Sequence, residues 1–208
     1  AGLKLAIFLG LPCSVGLFVL ADPIIRCLYT GIQSQSILLA AGMLQSMAAG
    51  VLFLFLIQTL TGILQGFGKV MVPVFNLAVG AVFKVVLSVV LIRIPQININ
   101  GAIIGTLICY LVATALDLWQ VFRRIRMPFS LKDCVVKPVV AAAAMGVFAY
   151  LFHMWVLPFG GKWIALGGAI LGAAVLYFVL LVIMRAIKAE DLELMPGGSK
   201  LRRFLPRK

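Results

Sequence analysis

Six apolar stretches, each about as long as a membrane-crossing helix, constrain the fold of this chain more than any other feature. An α-helix needs about 20 mainly apolar residues to cross the hydrocarbon core of a bilayer. The stretches cover residues 5–22, 38–64, 71–92, 101–122, 138–157 and 163–187. Hydrophobic residues make up 63% of the chain, against about 45–50% in soluble domains. The sequence therefore predicts an all-α integral membrane protein with six transmembrane helices.

The basic residues fall mainly on one side of these predicted spans. When the spans are threaded alternately through a membrane, fourteen of the 18 Lys and Arg residues lie on one face. They are Lys4, Lys69, Arg123, Arg124, Arg126, Lys132, Lys137, Arg185, Lys188, Lys200, Arg202, Arg203, Arg207 and Lys208. The opposite face has only Arg26, Arg93 and Lys162, and Lys84 lies inside a span. The positive-inside rule therefore predicts that both ends of this segment are cytoplasmic.

The net charge of +12 would often indicate a nucleic-acid partner. Here the charge is concentrated in a basic cytoplasmic loop, residues 123–137, and in a basic cytoplasmic tail, residues 188–208. Basic residues next to membrane spans attract anionic headgroups, each contributing about 1 kcal/mol. The sequence therefore predicts anionic membrane lipids as partners and no nucleic acid.

The cysteine and histidine content gives no sign of a metal site or a cofactor. Cys13, Cys27, Cys109 and Cys134 show no metal-binding or redox spacing. His153 is the only histidine, so a histidine-based triad or metal cluster cannot be assembled. We therefore expect no cofactor, no catalytic residues and no enzyme activity.

Polar side chains occur as stripes in the second, third and fourth spans, whereas the fifth and sixth carry almost none. Gln58, Thr61 and Gln65 share one helix face because they are spaced i, i+3 and i+7. Three adjacent helices with polar faces would form a wall of a cavity, since polar residues in membranes face protein or water. The alternative is hydrogen bonding between helices, which contributes about 0.6 kcal/mol per bond.

In the third span, Asn76 and Lys84 lie on one face with Gly80 between them. Lys84 is nine residues from the outer end at Arg93, which corresponds to a depth of roughly 13 Å. A charge at that depth costs about 2.5–3.5 kcal/mol, so Lys84 must face protein, water or a ligand. It could contact an anionic group such as a diphosphate. Alternatively, it could pair with an acid or with helix C-terminal carbonyls.

In the fourth span, Tyr110, Thr114 and Asp117 share a face, and Asp117 is the acidic candidate within a span. We predict this stripe as an ion site or a pairing site. An axial offset of about 10 Å makes a direct ion pair between Asp117 and Lys84 doubtful. Arg123 or Arg124 is the expected alternative partner.

Pro12 interrupts the first span, and a proline removes a backbone hydrogen bond and can kink a helix. Prolines are common in transmembrane helices. The expected consequence is a kink that serves packing, and the alternative is a bend that shapes a cavity or flexes.

Three segments carry a resemblance to a known family, and their motifs are patterns of Gly, Pro and Gln. They are GLKLAIFLGLPCSVGLFVLADPIIRCLYTG, LTGILQGFGKVMVPVFNLAVGAVFKVVLSVVLI and NINGAIIGTLICYLVATALDL. The tail segment AEDLELMPGGSKL adds to it. The chain resembles the C-terminal half of the stage V sporulation protein B family. That family belongs to the polysaccharide-biosynthesis branch of the multidrug/oligosaccharidyl-lipid/polysaccharide exporter superfamily.

The resemblance implies a fourteen-helix fold in which two six-helix lobes face a central cavity and two helices are appended. Residues 1–122 would be four helices of the second lobe, and residues 138–187 the appended pair. The chain would be the C-terminal part of the whole protein. Its N-terminal lobe would then be a partner, and the location would be the cytoplasmic membrane of a bacterium.

The implied function is that of a flippase that moves a lipid-linked oligosaccharide or a peptidoglycan precursor by alternating access. The membrane potential or ions would drive it. Lys84 would contact the anionic headgroup. The other expected cavity residues are Asn76, Gln58, Thr61 and Gln65. The alternatives are a cation-coupled MATE-type multidrug exporter, which would need membrane-embedded acids, and a non-transporting scaffold for cell-wall synthesis.

Overall fold

The computed structural model describes residues 2–29, 31, 33–93, 100–124 and 135–184. Its helices are α1 (Gly2–Val19), α2 (Ala21–Leu28), α3 (Ser34–Gly66), α4 (Met71–Ile92), α5 (Asn100–Arg124) and α6 (Lys137–Ile183). Six helical segments are long and apolar enough to cross a membrane. The described part of the chain contains no strand. The prediction of an all-α, multi-pass membrane protein with six spans is confirmed.

The helix α6 consists of two spans that meet at a sharp corner. The first covers Lys137–Pro158 and the second covers Gly161–Ile183. Gly161 has φ 72°, a left-handed conformation that glycine adopts without a steric penalty. The two parts of α6 therefore form a helical hairpin. Residues 185–187, predicted to end the sixth span, lie outside the described residues.

Between the first two spans, the chain forms a separate short helix. The first predicted span ends at residue 22, whereas α1 ends at Val19 and α2 begins at Ala21 after a break at Leu20. Pro23 lies in the first turn of α2, where a missing N–H costs little. The Arg26 Nε donates to Asp22 Oδ2 over 2.7 Å, one turn away. This exposed pair supports α2 at the predicted outer face.

Glycines allow α4 and α5 to approach closely. A Cβ atom on Gly80 would lie 2.7 Å from the backbone oxygen of Cys109, a distance that real Cβ atoms do not reach. A Cβ atom on Gly101 would lie 2.8 Å from Leu91 Cβ. Small residues at such contacts let helix backbones come together, which is how helices associate in lipid. The two helices consequently form a tight antiparallel pair.

Two apolar clusters hold the remaining helices together. One cluster joins α1, α3 and α5 through Leu3, Leu60, Leu64 and Val121. The other joins α1 and α2 to both halves of α6, and its largest fully buried side chain is Tyr177. Because α1 belongs to both clusters, it connects the α3–α5 helices to the α6 hairpin.

Candidate functional site

A small group of polar side chains is buried between α4 and α5. The Asn76 Nδ2 donates a hydrogen bond of 2.6 Å to Asp117 Oδ1. The Gln120 Nε2 lies 3.5 Å from Asn76 Oδ1 and donates to it. Both Asn76 and Asp117 are buried, and Asp117 is only 1% exposed. We call Asn76, Asp117 and Gln120 the α4–α5 polar cluster.

The α4–α5 polar cluster contains an oxygen without a partner among the described residues. Asp117 Oδ2 is buried and accepts no hydrogen bond from them. Thr114 Oγ1 is likewise buried and has no hydrogen-bond partner among them. Thr114 precedes Asp117 by three residues and therefore shares its helix face. A buried carboxylate normally accepts several hydrogen bonds or faces a cation. Asp117 Oδ2 consequently has the capacity to accept a donor, a proton or a cation.

Among the described residues, Asp117 is hydrogen-bonded to an amide rather than paired with an arginine. We expected Arg123 or Arg124, but the amide of Asn76 makes the hydrogen bond. Arg123 follows Asp117 by six residues, which places it about 240° around the helix. Its guanidinium instead lies 5.1 Å from the ring centre of Trp119, a cation–π contact. The side chain of Arg124 lies outside the described residues.

Lys84 is exposed on α4, two turns beyond the α4–α5 polar cluster. Eight residues separate it from Asn76, which corresponds to about 12 Å along the helix. Asp117 lies level with Asn76, which donates its hydrogen bond. Lys84 is therefore displaced from Asp117 along the helix axis, as expected. The neighbouring residues Val82, Phe83 and Val85 are exposed as well. Lys84 is therefore an ammonium group on an apolar helix surface that the described part of this chain does not cover.

The other predicted site residues are distributed over α3 and α5. Gln58 and Gln65 are exposed on α3, whereas Thr61 is half-buried. Tyr110 is half-buried, and its Cδ2 atom would lie 3.6 Å from a Cβ atom on Gly50 of α3. Within the described residues, the structure brings together Asn76 and Asp117, but it leaves Lys84, Gln58 and Gln65 on the surface.

Two residues of interest are not predicted by the polar stripes of the sequence. Gln120 belongs to the α4–α5 polar cluster, and its spacing of three from Asp117 is a signal that could have found it. Lys4, which the sequence places on the cytoplasmic side, is buried. Its Nζ lies 5.2 Å from the ring centre of Phe8. The helix α1 starts at Gly2 rather than at residue 5, so it includes Lys4.

Comparison with known proteins places these helices in a family. The MatE family model matches residues 1–90. Stage V sporulation protein B of Bacillus subtilis (strain 168) is 24% identical over 199 residues, which is 96% of this chain and 37% of that protein. Lipid II flippase MurJ of the same organism is 31% identical over 156 residues, covering 74% of this chain and 28% of that protein.

The chain belongs to the multidrug/oligosaccharidyl-lipid/polysaccharide exporter superfamily. The resemblance seen in the sequence is thereby confirmed. A further relative is the uncharacterized membrane protein YabM of Bacillus subtilis (strain 168), which is 26% identical over 216 residues. The alignment covers 100% of this chain and 38% of that protein.

The family model matches only part of the fold, whereas the alignments with YabM and stage V sporulation protein B cover 100% and 96% of the chain. The MatE match of residues 1–90 covers α1 to α3 and all but the end of α4, and it does not reach α6. The chain spans about a third of the length of the curated relatives, with shares of 38%, 37% and 28%.

Proposed function

We propose that this protein works as part of a flippase that moves a lipid-linked oligosaccharide, such as a peptidoglycan precursor, across the cytoplasmic membrane of a bacterium. The observation that carries the proposal is the position of Lys84, which is exposed on a 22-residue transmembrane helix. One of the relatives, MurJ, is named a lipid II flippase.

The Lys84 ammonium must be solvated or paired within the membrane. At the predicted depth, an ammonium facing hydrocarbon would cost about 2.5–3.5 kcal/mol. The apolar surface around it is exposed in this chain, so lipid, water or another part of the protein must cover it. A water-filled cavity shared with a second lobe removes this cost. In such a cavity, the lysine would bind the diphosphate of a lipid-linked saccharide through charge-assisted hydrogen bonds.

In this proposal, the two parts of the chain have separate roles. Residues 1–122 form four helices of the second lobe in a fourteen-helix transporter, and residues 138–187 form the appended pair. The loop 123–137 and the tail 188–208 are cytoplasmic and contact anionic lipids. The N-terminal lobe of the same protein completes the cavity. The MatE match covers α1 to α3 and most of α4, which supports the assignment of these helices to the lobe, and it reaches neither α5 nor α6.

Transport would then proceed by alternating access. The lobes rock against each other and the polar headgroup crosses the cavity, while the lipid tail remains in the bilayer. Gln58, Thr61 and Gln65 contribute polar groups to this cavity wall, whereas Asn76, also expected there, is buried and donates to Asp117. The exposure of Gln58 and Gln65 supports this assignment, because both side chains are available to a ligand.

Asp117, Thr114 and Tyr110 form the proposed ion or pairing site in the same lobe. The unpartnered Asp117 Oδ2 favours a second candidate function, a cation-coupled exporter of the MATE type. Such exporters need membrane-embedded acids, and Asp117 is a buried one. The third alternative is a scaffold for cell-wall synthesis that transports nothing.

The test is a flipping assay with the complete transporter in proteoliposomes that carry a labelled undecaprenyl-diphosphate-linked saccharide in one leaflet. Lys84→Ala should lower the flipping rate at least about tenfold, since a charge-assisted contact contributes about 1.5–3 kcal/mol. Lys84→Arg should keep part of the rate. Lys162→Ala is the matched control, because Lys162 is an exposed lysine at the α6 corner, and it should leave the rate unchanged.

Each other outcome rejects a specific part of the proposal. An unchanged rate in Lys84→Ala removes the role of Lys84 in cargo binding. Loss of the variant from the membrane assigns Lys84 a structural role. A wild-type protein that flips no saccharide but expels a cationic dye is an exporter. A protein that does neither is a scaffold.

A further inference from the structure

A side chain from α6 reaches the one carbonyl that the proline of α1 leaves without a helical donor. Pro12 lies inside α1 and has no N–H, so the carbonyl of Phe8, four residues earlier, loses its usual partner. The Tyr177 hydroxyl donates a hydrogen bond of 2.9 Å to this Phe8 oxygen. The donor comes from a residue 169 positions away in the sequence.

Both partners of this bond are removed from solvent. Tyr177 is 2% exposed and Phe8 is 5% exposed. A carbonyl buried inside a membrane protein cannot accept a hydrogen bond from bulk water, so the protein must supply the donor. The Tyr177 hydroxyl therefore does for α1 what the missing backbone N–H at residue 12 would do in an uninterrupted helix.

An apolar cavity of about 390 Å³ lies beside Pro12. Its walls include Pro12 and Gly16 of α1, Met145 and Ala149 of the first half of α6, and Ala173 and Tyr177 of the second half. Protein interiors are usually packed as densely as organic crystals. A space of this size beside Pro12 leaves room on that side of α1 for a change in the helix direction.

We propose that Tyr177 is a positioning residue that sets the direction of α1 at Pro12 and ties this helix to the α6 hairpin. While the hydroxyl holds the Phe8 carbonyl, the outer half of α1 has one direction. When the bond opens, the bend at Pro12 can change, and the cavity accommodates the displaced helix. The α6 hairpin thereby controls the geometry of α1, which belongs to residues 1–122. This role of Tyr177 does not depend on the identity of the cargo.

The first test is a cycle of four proteins: the full chain, Tyr177→Phe, Pro12→Ala and the double variant. Tyr177→Phe keeps the ring and removes the donor, so the thermal unfolding midpoint in detergent should fall by about 2–6 °C. In the Pro12→Ala background, the N–H of residue 12 can serve the Phe8 carbonyl. There, Tyr177→Phe should lower the midpoint by about 1 °C or less.

The cycle separates a hydrogen-bonding role from a packing role. An equal fall in both backgrounds would mean that Tyr177 acts by packing, and it would overturn the proposal. No fall in either background would overturn it as well. If Tyr177→Phe alone does not fold, the double variant decides: recovery of folded protein supports the proposal, and continued failure contradicts it.

The second test measures the bend directly. In a cysteine-free background, spin labels at positions 2 and 18 of α1 lie about 24 Å apart along the helix. Tyr177→Phe should shift or broaden the distance distribution, and adding Pro12→Ala should restore a single narrow one. Tyr150→Phe is the matched control because it removes the hydroxyl of a tyrosine that is 54% exposed. Identical distributions for Tyr177→Phe and Tyr150→Phe would refute the positioning role.

Discussion

The α4–α5 pair and the α6 hairpin are both antiparallel pairs of transmembrane helices with glycines at their contacts, yet they are built differently. In α4–α5, Gly80 faces a backbone oxygen of the partner helix, and the interface contains the α4–α5 polar cluster. In α6, Gly168 and Gly172 face the ring edges of Phe152 and Phe148. One pair is held by backbone proximity and polar contacts, and the other by adaptable aromatic rings.

This difference indicates where each part of the chain tolerates change. A backbone oxygen cannot rotate away from an added atom, whereas a phenyl ring can turn or shift. A buried amide–carboxyl contact also has a defined geometry, because each donor must meet its acceptor. We therefore expect α4–α5 to be the rigid, chemically specific pair, and α6 to be the pair that accepts substitutions.

The largest expected effect is on transport, through Asp117. Asp117→Asn retains an oxygen that accepts from Asn76, but it cannot carry a negative charge, so an ion or proton that occupies Oδ2 would be lost. We expect the flipping rate of the complete transporter to fall at least about tenfold, with less than about 1 kcal/mol change in the free energy of unfolding. Flipping in proteoliposomes and chemical unfolding of the same preparation measure the two quantities.

The opposite outcome for Asp117→Asn would also be informative. If the variant keeps the full flipping rate, the carboxylate has no ionic role. The α4–α5 polar cluster is then only a helix-pairing contact, and the contrast with the α6 hairpin is one of packing alone.

The next largest effect is on stability, through Gly80. Gly80→Ala places a Cβ atom 2.7 Å from the Cys109 oxygen, so the helices must separate, at a cost of about 1–3 kcal/mol. Gly42→Ala is the matched control, since a Cβ atom there has no neighbour within 4 Å. It should be neutral or slightly stabilising because alanine favours helix. Equal unfolding midpoints for the two variants would contradict the expectation that α4–α5 is a rigid pair.

The smallest effect is expected in the α6 hairpin. Gly168→Ala places a Cβ atom 3.0 Å from Phe152 Cε1, and the ring can shift by a few tenths of an ångström. The helix propensity gained, about 0.5–1 kcal/mol, offsets the cost of that shift. The net change in unfolding free energy should stay below about 0.5 kcal/mol. A loss as large as that of Gly80→Ala would show that the two helix pairs are equally intolerant.

Much of the fold could be predicted from sequence because a bilayer imposes a length on apolar segments. The predicted third span, residues 71–92, coincides with α4 (Met71–Ile92). The first span begins earlier than predicted, at Gly2, and Lys4 within it is buried. The prediction also did not separate α2 from the first span, since the break at Leu20 carries no proline or glycine of its own.

The site was less predictable because periodicity assigns a residue to a face but not to a partner. The sequence assigns Asp117 to a polar stripe, but its contact with Asn76 depends on the register between α4 and α5. The close approach at Gly80 sets this register. Likewise, the role of Tyr177 follows only from the passage of α6 beside Pro12. Nothing in the local sequence around Tyr177 indicates a carbonyl on another helix.

The length of α3 has a mechanical consequence. It contains 33 residues and is therefore about 50 Å long, against about 30 Å for the hydrocarbon core of a bilayer. A rod of this length amplifies rotation: if it pivots by about 5° about one end, the other end moves by about 4 Å. Small adjustments where α3 packs on Leu3 and Val121 would thus become displacements of atomic size at its opposite end, near α2.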